Sequence, residues 1–169
     1  MPAEPSLRAA CACGTVKLEA TGAPMITAVC YCDDCQAAGE RIGDMPGASP
    51  LLDGDGGSAM VMFRKDRLRC VEGAERLTPT KLTPKSPTSR YVASCCNSAM
   101  YLGFDDAKHW VDVYRSRVVG VAPPVQARVC TRFKPTGAEL PNDAPAYAGY
   151  PPRLIPKLLG SKLAMMLGL

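Results

Sequence analysis

Three cysteines fall within six residues at Cys30-Tyr31-Cys32-Asp33-Asp34-Cys35, a C-x-C-x-x-C pattern. Cys11 and Cys13 stand upstream of it, and Cys95 and Cys96 far downstream. Thiols at this density are either oxidised in pairs or gathered around a metal. The chain has nine cysteines, an odd number that excludes complete pairing, and Met1-Pro-Ala-Glu-Pro-Ser lacks the apolar core of a secretory signal. A reducing, cytoplasmic location is therefore expected, where disulfide frameworks are rare. C-x-C and C-x-x-C spacings let short loops aim two thiolates at one ion. Zinc, one or two ions per chain, is the expected cofactor, because thiolates are soft ligands and structural zinc takes four ligands tetrahedrally.

Each thiol pair supplies half a zinc site. Cys30, Cys32 and Cys35 offer three thiolates from one loop, the arrangement of a catalytic zinc that keeps its fourth position for water or a substrate thiol. Cys11 and Cys13 need partners from elsewhere, and Cys95 and Cys96 are the candidates. Two bland alternatives stand beside this reading: all seven thiols only staple the sheet, or they form a redox sensor that loses zinc on oxidation. Cys70 and Cys130 have no spaced partner and read as small buried hydrophobes. His109, the one histidine, reads as structural.

The rest of the chain predicts a mainly β protein of short antiparallel sheets, with long loops and a C-terminal amphipathic helix. Thr15–Ala20 alternates strictly, with Val16, Leu18 and Ala20 on one face. Further strands are expected at Met25–Val29, Ala59–Phe63, Leu68–Val71, Arg90–Ser94, Ala99–Phe104 and Trp110–Arg115, with Arg90–Ser94 and Ala99–Phe104 forming a hairpin. Residues 1–10 read as a loose arm, 36–39 as one helical turn, and 40–58, with two Pro and five Gly, as a long loop. Asp53 and Asp55 in that loop belong to a turn. An EF-hand fails there because Arg64 occupies the twelfth position. Residues 78–89 carry three Pro and read as an edge or loop, and 120–152 as irregular. Ile155, Leu158, Leu159, Leu163 and Met166 recur at helical spacing and predict a helix over 154–167, its apolar side packed on its own domain, on a second copy in a homodimer, or on a membrane surface. Two units follow: a zinc-binding domain over 1–118 and an irregular extension over 119–169. A net charge of +4 is too weak to indicate nucleic acid, and no apolar run approaches the roughly 20 residues of a spanning helix.

Cys11-x-Cys13-Gly14-x-Val16 followed by Cys30-x-Cys32-x-x-Cys35-x-x-x-Gly39 resembles the glutathione-dependent formaldehyde-activating enzyme (GFA) family, which includes the CENP-V proteins. The family's third motif, R-x-F-C-x-x-C-G-S, falls on Arg90–Ser98, where Arg90, Cys96 and Ser98 match. The resemblance spans residues 8–104. It implies the zinc-containing β-tent fold and two zinc sites. Cys11, Cys13 and Cys96 match ligands of the family's structural zinc, and Cys30, Cys32 and Cys35 the three ligands of its catalytic zinc. It also implies carbon–sulfur lyase activity of the S-(hydroxymethyl)glutathione synthase kind, joining the thiol glutathione to formaldehyde. The sequence departs from the family at Ala93, which stands where the motif has its first cysteine and leaves Cys95 as substitute, at Asn97 in place of glycine, and at Tyr31 within the usual C-H-C. A non-enzymatic zinc-stapled β module for protein interaction is the alternative function.

Overall fold

Period-two patterning dominates the chain, and its apolar faces are satisfied by stacking one sheet on another. In the computed structural model, which describes residues 6–169, the order of elements is β1 (Leu7–Ala10), β2 (Lys17–Ala20), β3 (Ile26–Cys30), α1 (Asp33–Gly43), β4 (Ser58–Arg64), β5 (Leu68–Glu72), β6 (Leu77–Thr80), β7 (Thr88–Ala93), β8 (Ser98–Phe104), β9 (Trp110–Tyr114), β10 (Ala127–Val129) and α2 (Leu154–Met166). A three-stranded sheet runs β1-β2-β5 and a seven-stranded sheet runs β10-β3-β4-β9-β8-β7-β6. Neighbours are antiparallel, except that β10 lies parallel to β3.

The central strands sort their side chains between two cores. Val61 and Phe63 of β4 and Val111 and Val113 of β9 join Leu7, Ala9, Leu18 and Ala20 of the small sheet. Met60 and Met62 of β4 and Tyr114 of β9 point the other way, toward Cys35 and Ile42 of α1 and Leu154 of α2. The larger sheet is thus a middle layer, buried on both faces. A fully buried side chain such as Phe63 contributes roughly 2–3 kcal/mol by transfer from water.

Several expectations are corrected. The segment Leu7–Ala10 is a strand and not a loose arm, because Leu7 and Ala9 are buried against the other strands. The first five residues of that arm lie outside the described residues. The helical turn after the thiol loop is an 11-residue helix reaching Gly43, with Cys35, Ala38, Gly39 and Ile42 buried along one side. Gly39 is needed there, since a Cβ would stand 2.4 Å from Leu52 Cδ2. Leu77–Thr80 is a strand at the sheet edge, where Pro79 costs no ladder bond to a further neighbour. The Pro-rich region contains β10. Cys70 is half-buried, with its thiol on the Glu72 carbonyl, so it is not a core residue. Cys130 is buried as expected.

The late helix forms within its expected bounds, and its covered side is the less apolar one. Leu154 is buried and Leu158 packs against the core, while Ile155, Leu159, Leu163 and Met166 stand outward. No helix among the described residues is long and apolar enough to cross a membrane.

Candidate metal centres

Cys11 and Cys13 occupy the turn between β1 and β2. The turn is closed by Gly14 N–H on Cys11 O (3.0 Å) and by Cys11 N–H on Val16 O (3.0 Å). Cys95 and Cys96 occupy the hairpin turn between β7 and β8, where Asn97 takes a left-handed φ of 52° that asparagine tolerates. The two turns meet. Sulfur separations are 3.6 Å for Cys11–Cys13, 3.8 Å for Cys11–Cys95, 3.3 Å for Cys13–Cys95 and 3.9 Å for Cys95–Cys96. All four sulfurs lie within 4.8 Å of one another. A tetrahedron with zinc–sulfur bonds of 2.3 Å has edges of about 3.8 Å, in the range of these separations, so the group could hold zinc. Ala93 is fully buried in the inter-sheet core, and the fourth thiol comes instead from using both Cys95 and Cys96.

Polar neighbours hold this group. Val16 N–H donates to Cys11 Sγ at 3.2 Å. Ser98 Oγ accepts from Ala12 N–H at 3.0 Å and from Arg117 Nη1 at 3.1 Å, and stands 3.1 Å from Cys96 Sγ. The Thr15 hydroxyl and backbone, with the Cys95 and Cys11 thiols, draw Cys13 down to about 6.

The other group forms where β3 ends and α1 begins. Cys30 is the last residue of β3, Cys32 caps α1, and Cys35 lies in its first turn. Cys32 Sγ accepts the Cys35 backbone N–H at 3.4 Å. The three sulfurs lie within 4.8 Å of one another, and among the described residues no fourth Cys, His, Asp or Glu completes the set. Cys30 and Cys35 are buried and Cys32 is half-exposed. Cys32 is held far below the ordinary thiol range by the Cys30 and Cys35 thiols, the Cys35 N–H and the charge of Arg90. Cys30 is pushed up by its bonds to Cys32 and Cys35 and by burial. The helix N-terminus adds its own positive field.

Arg90 stands beneath this group, 2% exposed, donating from Nη2 to Asp34 O at 3.0 Å. Its Nη1 has no hydrogen-bond partner. Three thiolates around a divalent ion carry one net negative charge, which a buried guanidinium offsets. Tyr150, 67% exposed as a whole, lies nearby, its phenol pushed up by partial desolvation and by Cys30 and Cys130.

Tyr31, between two of the thiols, is clamped from behind. Its hydroxyl donates to Asp55 Oδ2 at 2.7 Å and accepts from Arg128 Nη1. Arg128 also reaches Asp55 Oδ2 at 3.0 Å and Asp143 through Nε at 2.9 Å. Gly57 allows the Asp55 turn to approach, since a Cβ there would meet Val29 at 2.3 Å and the Tyr31 ring at 2.9 Å. Asp53 and Asp55 do form a turn, with Asp53 N–H on Gly57 O at 2.8 Å and Gly57 N–H on Asp55 Oδ1 at 3.0 Å.

The model of a family of unknown function, DUF6151, matches residues 5–168. The chain belongs to this family. The DUF6151 match takes in both thiol groups and both helices. No curated protein matches the chain. Among solved structures, the crystal structure of a Rhodobacter sphaeroides protein, a structural genomics target, superposes with a TM-score of 0.48 at 20% identity, covering 69% of this chain and 91% of that one.

The seven cysteines singled out in the sequence therefore fall into two groups of four and three. His109 joins neither: it is buried, with Nε2 2.7 Å from Ser161 Oγ of α2. Asp55, Arg128 and Tyr150 carry no local signature. They reach the Cys30 group only through pairings formed in the fold, and the parallel register of Val129 with Cys30 was the one that had to be known.

Proposed function

We propose that this DUF6151 protein holds two zinc ions, a closed structural one at Cys11, Cys13, Cys95 and Cys96 and an open one at Cys30, Cys32 and Cys35, and that the open site handles adducts between thiols and aldehydes. The observation that carries the reading is the contrast in ligand number: four thiols in one group and three in the other, with Cys32 reaching solvent. A closed set staples a fold, whereas three protein ligands leave a position for substrate. Zinc, when bound, supplies Lewis acidity that favours a thiolate over a thiol at neutral pH.

The chemistry that suits this arrangement is carbon–sulfur lyase chemistry of the formaldehyde-activating kind. The sulfur of glutathione, or a similar small thiol, adds to the aldehyde carbon. A C–S bond forms, the carbonyl π bond breaks, and the thiol proton ends on the former carbonyl oxygen. In the reverse direction the same bond is cleaved. Arg90 favours negative charge on sulfur here, α1 directs its N-terminal N–H groups at the loop, and the Tyr31–Asp55–Arg128 clamp fixes the loop that carries two of the three thiols. Nine unpaired cysteines suit a reducing, cytoplasmic compartment.

The test is NMR of formaldehyde with glutathione, with and without the protein. Acceleration above the spontaneous rate, lost in Cys32→Ser, supports the lyase. An unchanged rate with zinc bound would leave the non-enzymatic zinc-stapled module in its place.

A further inference from the structure

Six of the eleven large apolar side chains exposed among the described residues lie in the last 15 residues: Ile155, Leu159, Leu163, Met166, Leu167 and Leu169. The first four follow one stripe along α2 and are 58–73% exposed. The stripe is not presented by a loose tail. Leu154 and Leu158 anchor the helix in the core, and Ser161 is bonded to His109 at 2.7 Å. Lys157 Nζ donates to Met25 O at 3.3 Å, and Leu169 O accepts from Arg64 Nη1 at 2.7 Å and Arg67 Nη2 at 2.8 Å. The helix is fixed at its start, middle and end, with its more apolar side facing water.

The charge around the stripe is mainly positive. Residues 144–169 contain Arg153, Lys157 and Lys162 and no Asp or Glu. None of those three cations has a carboxylate partner among the described residues. Beyond Leu169 the collar continues in Arg64, Lys65 and Arg67, where Asp66 is the single nearby acid. A hollow of about 410 Å³ beside Leu158 and Leu159 is lined by Lys162, by Trp110 and by Lys108, which is paired with Asp106.

We propose that this face of α2 docks the protein onto an anionic lipid surface, with the helix lying in the plane of the interface. A 13-residue helix is about 20 Å long, too short for a hydrocarbon core of about 30 Å, and an exposed apolar stripe rimmed by lysines is what an interfacial helix requires. A second copy of the chain is a poorer occupant. Two-fold pairing would bring the unpaired Arg153, Lys157 and Lys162 of both copies together, while the nearby acids Asp66 and Asp106 are already engaged by Arg64 and Lys108. An acidic protein partner is also poorer, since the stripe itself is Ile, Leu and Met without aromatic anchors or directional polar groups, whereas fluid acyl chains require neither. The proposal is independent of the thiol centres.

The test is co-sedimentation of the full chain with vesicles of phosphatidylcholine alone and of phosphatidylcholine mixed with phosphatidylserine, alongside light scattering without lipid. Binding to the mixed vesicles, weakened by added salt, is expected. Exchanging Lys162 for Gln should weaken it about fivefold. Leu159→Ser with Leu163→Ser should abolish it; these side chains are exposed, so far-UV circular dichroism should stay unchanged. Failure to bind mixed vesicles overturns the proposal. So does equal binding to both vesicle types, or a lipid-free dimer that Leu163→Ser converts to monomer, which would assign the face to a second copy.

Discussion

The sulfur of Cys13 stands 3.3 Å from that of Cys95, although 82 residues separate them. This contact joins the β1–β2 turn of the small sheet to the β7–β8 hairpin of the large one. Cys95 thereby brings a thiol to the group where Ala93 offers none. Cys95→Ser should lower the zinc content by one ion per chain and reduce the melting temperature by roughly 4–8 °C, equivalent to about 2 kcal/mol for a chain of this size. Metal analysis and a thermal scan check both; an unchanged zinc content would show that Cys95 is not a ligand.

Ser98 links the same group to its surroundings through Ala12, Arg117 and Cys96. Arg117 Nε is already without a partner, so Ser98→Ala leaves that buried guanidinium poorer still. The expected outcome is roughly 10–100-fold weaker zinc retention at this group, read by competition with a chromophoric chelator. The Cys30 group should be unaffected.

Much of this geometry was legible beforehand. C-x-C-x-x-C encodes a local loop, so Cys30, Cys32 and Cys35 had to converge, and the tight Cys11–Cys13 and Cys95–Cys96 pairs each required a partner. The length of α1 was missed because its buried side is Cys35, Ala38, Gly39 and Ile42, small residues that give a faint helical stripe. Gly39 weakens the helical signal further, and Leu52 occupies the space where its Cβ would stand. The Tyr31–Asp55–Arg128 clamp was invisible, since Asp55 and Arg128 lie 73 residues apart and meet only because β10 pairs with β3. The apolar period of α2 was plain, but periodicity alone does not say which side another element covers.

The clamp has its own consequence. Asp55→Ala removes the acceptor of Tyr31 and one of the two carboxylates on Arg128, and the bond that closes the turn at Gly57. A loss of about 1–3 kcal/mol is expected, since Arg128 keeps Asp143. Zinc should exchange faster from the Cys30 group while the four-thiol group is unchanged. Equal loss from both groups would mean that the clamp acts on global stability alone.

Asp112 lies buried on β9, and desolvation raises its carboxyl from the ordinary value of 3.8 to about 7. The folded state thus holds a proton that the unfolded state has released above about pH 4. The contribution of this group to stability is fully present below that pH and is lost as pH rises through 7. At 1.36 kcal/mol per pH unit the loss is on the order of 4 kcal/mol. Asp112→Asn should remove this slope, so that the variant gains on the wild type between pH 4 and 7 in denaturant titrations. A constant stability difference across that range would show that Asp112 is ionised in the folded protein.

The central claim is that this chain carries one closed and one open zinc–thiolate centre, and metal analysis of the purified protein beside Cys32→Ser tests it most directly. The expected result is about two zinc ions per chain in the wild type. In a Cys32→Ser variant that still folds, about one should remain. Well under one zinc per chain in the wild type, or loss of folding together with both ions in Cys32→Ser, would contradict it.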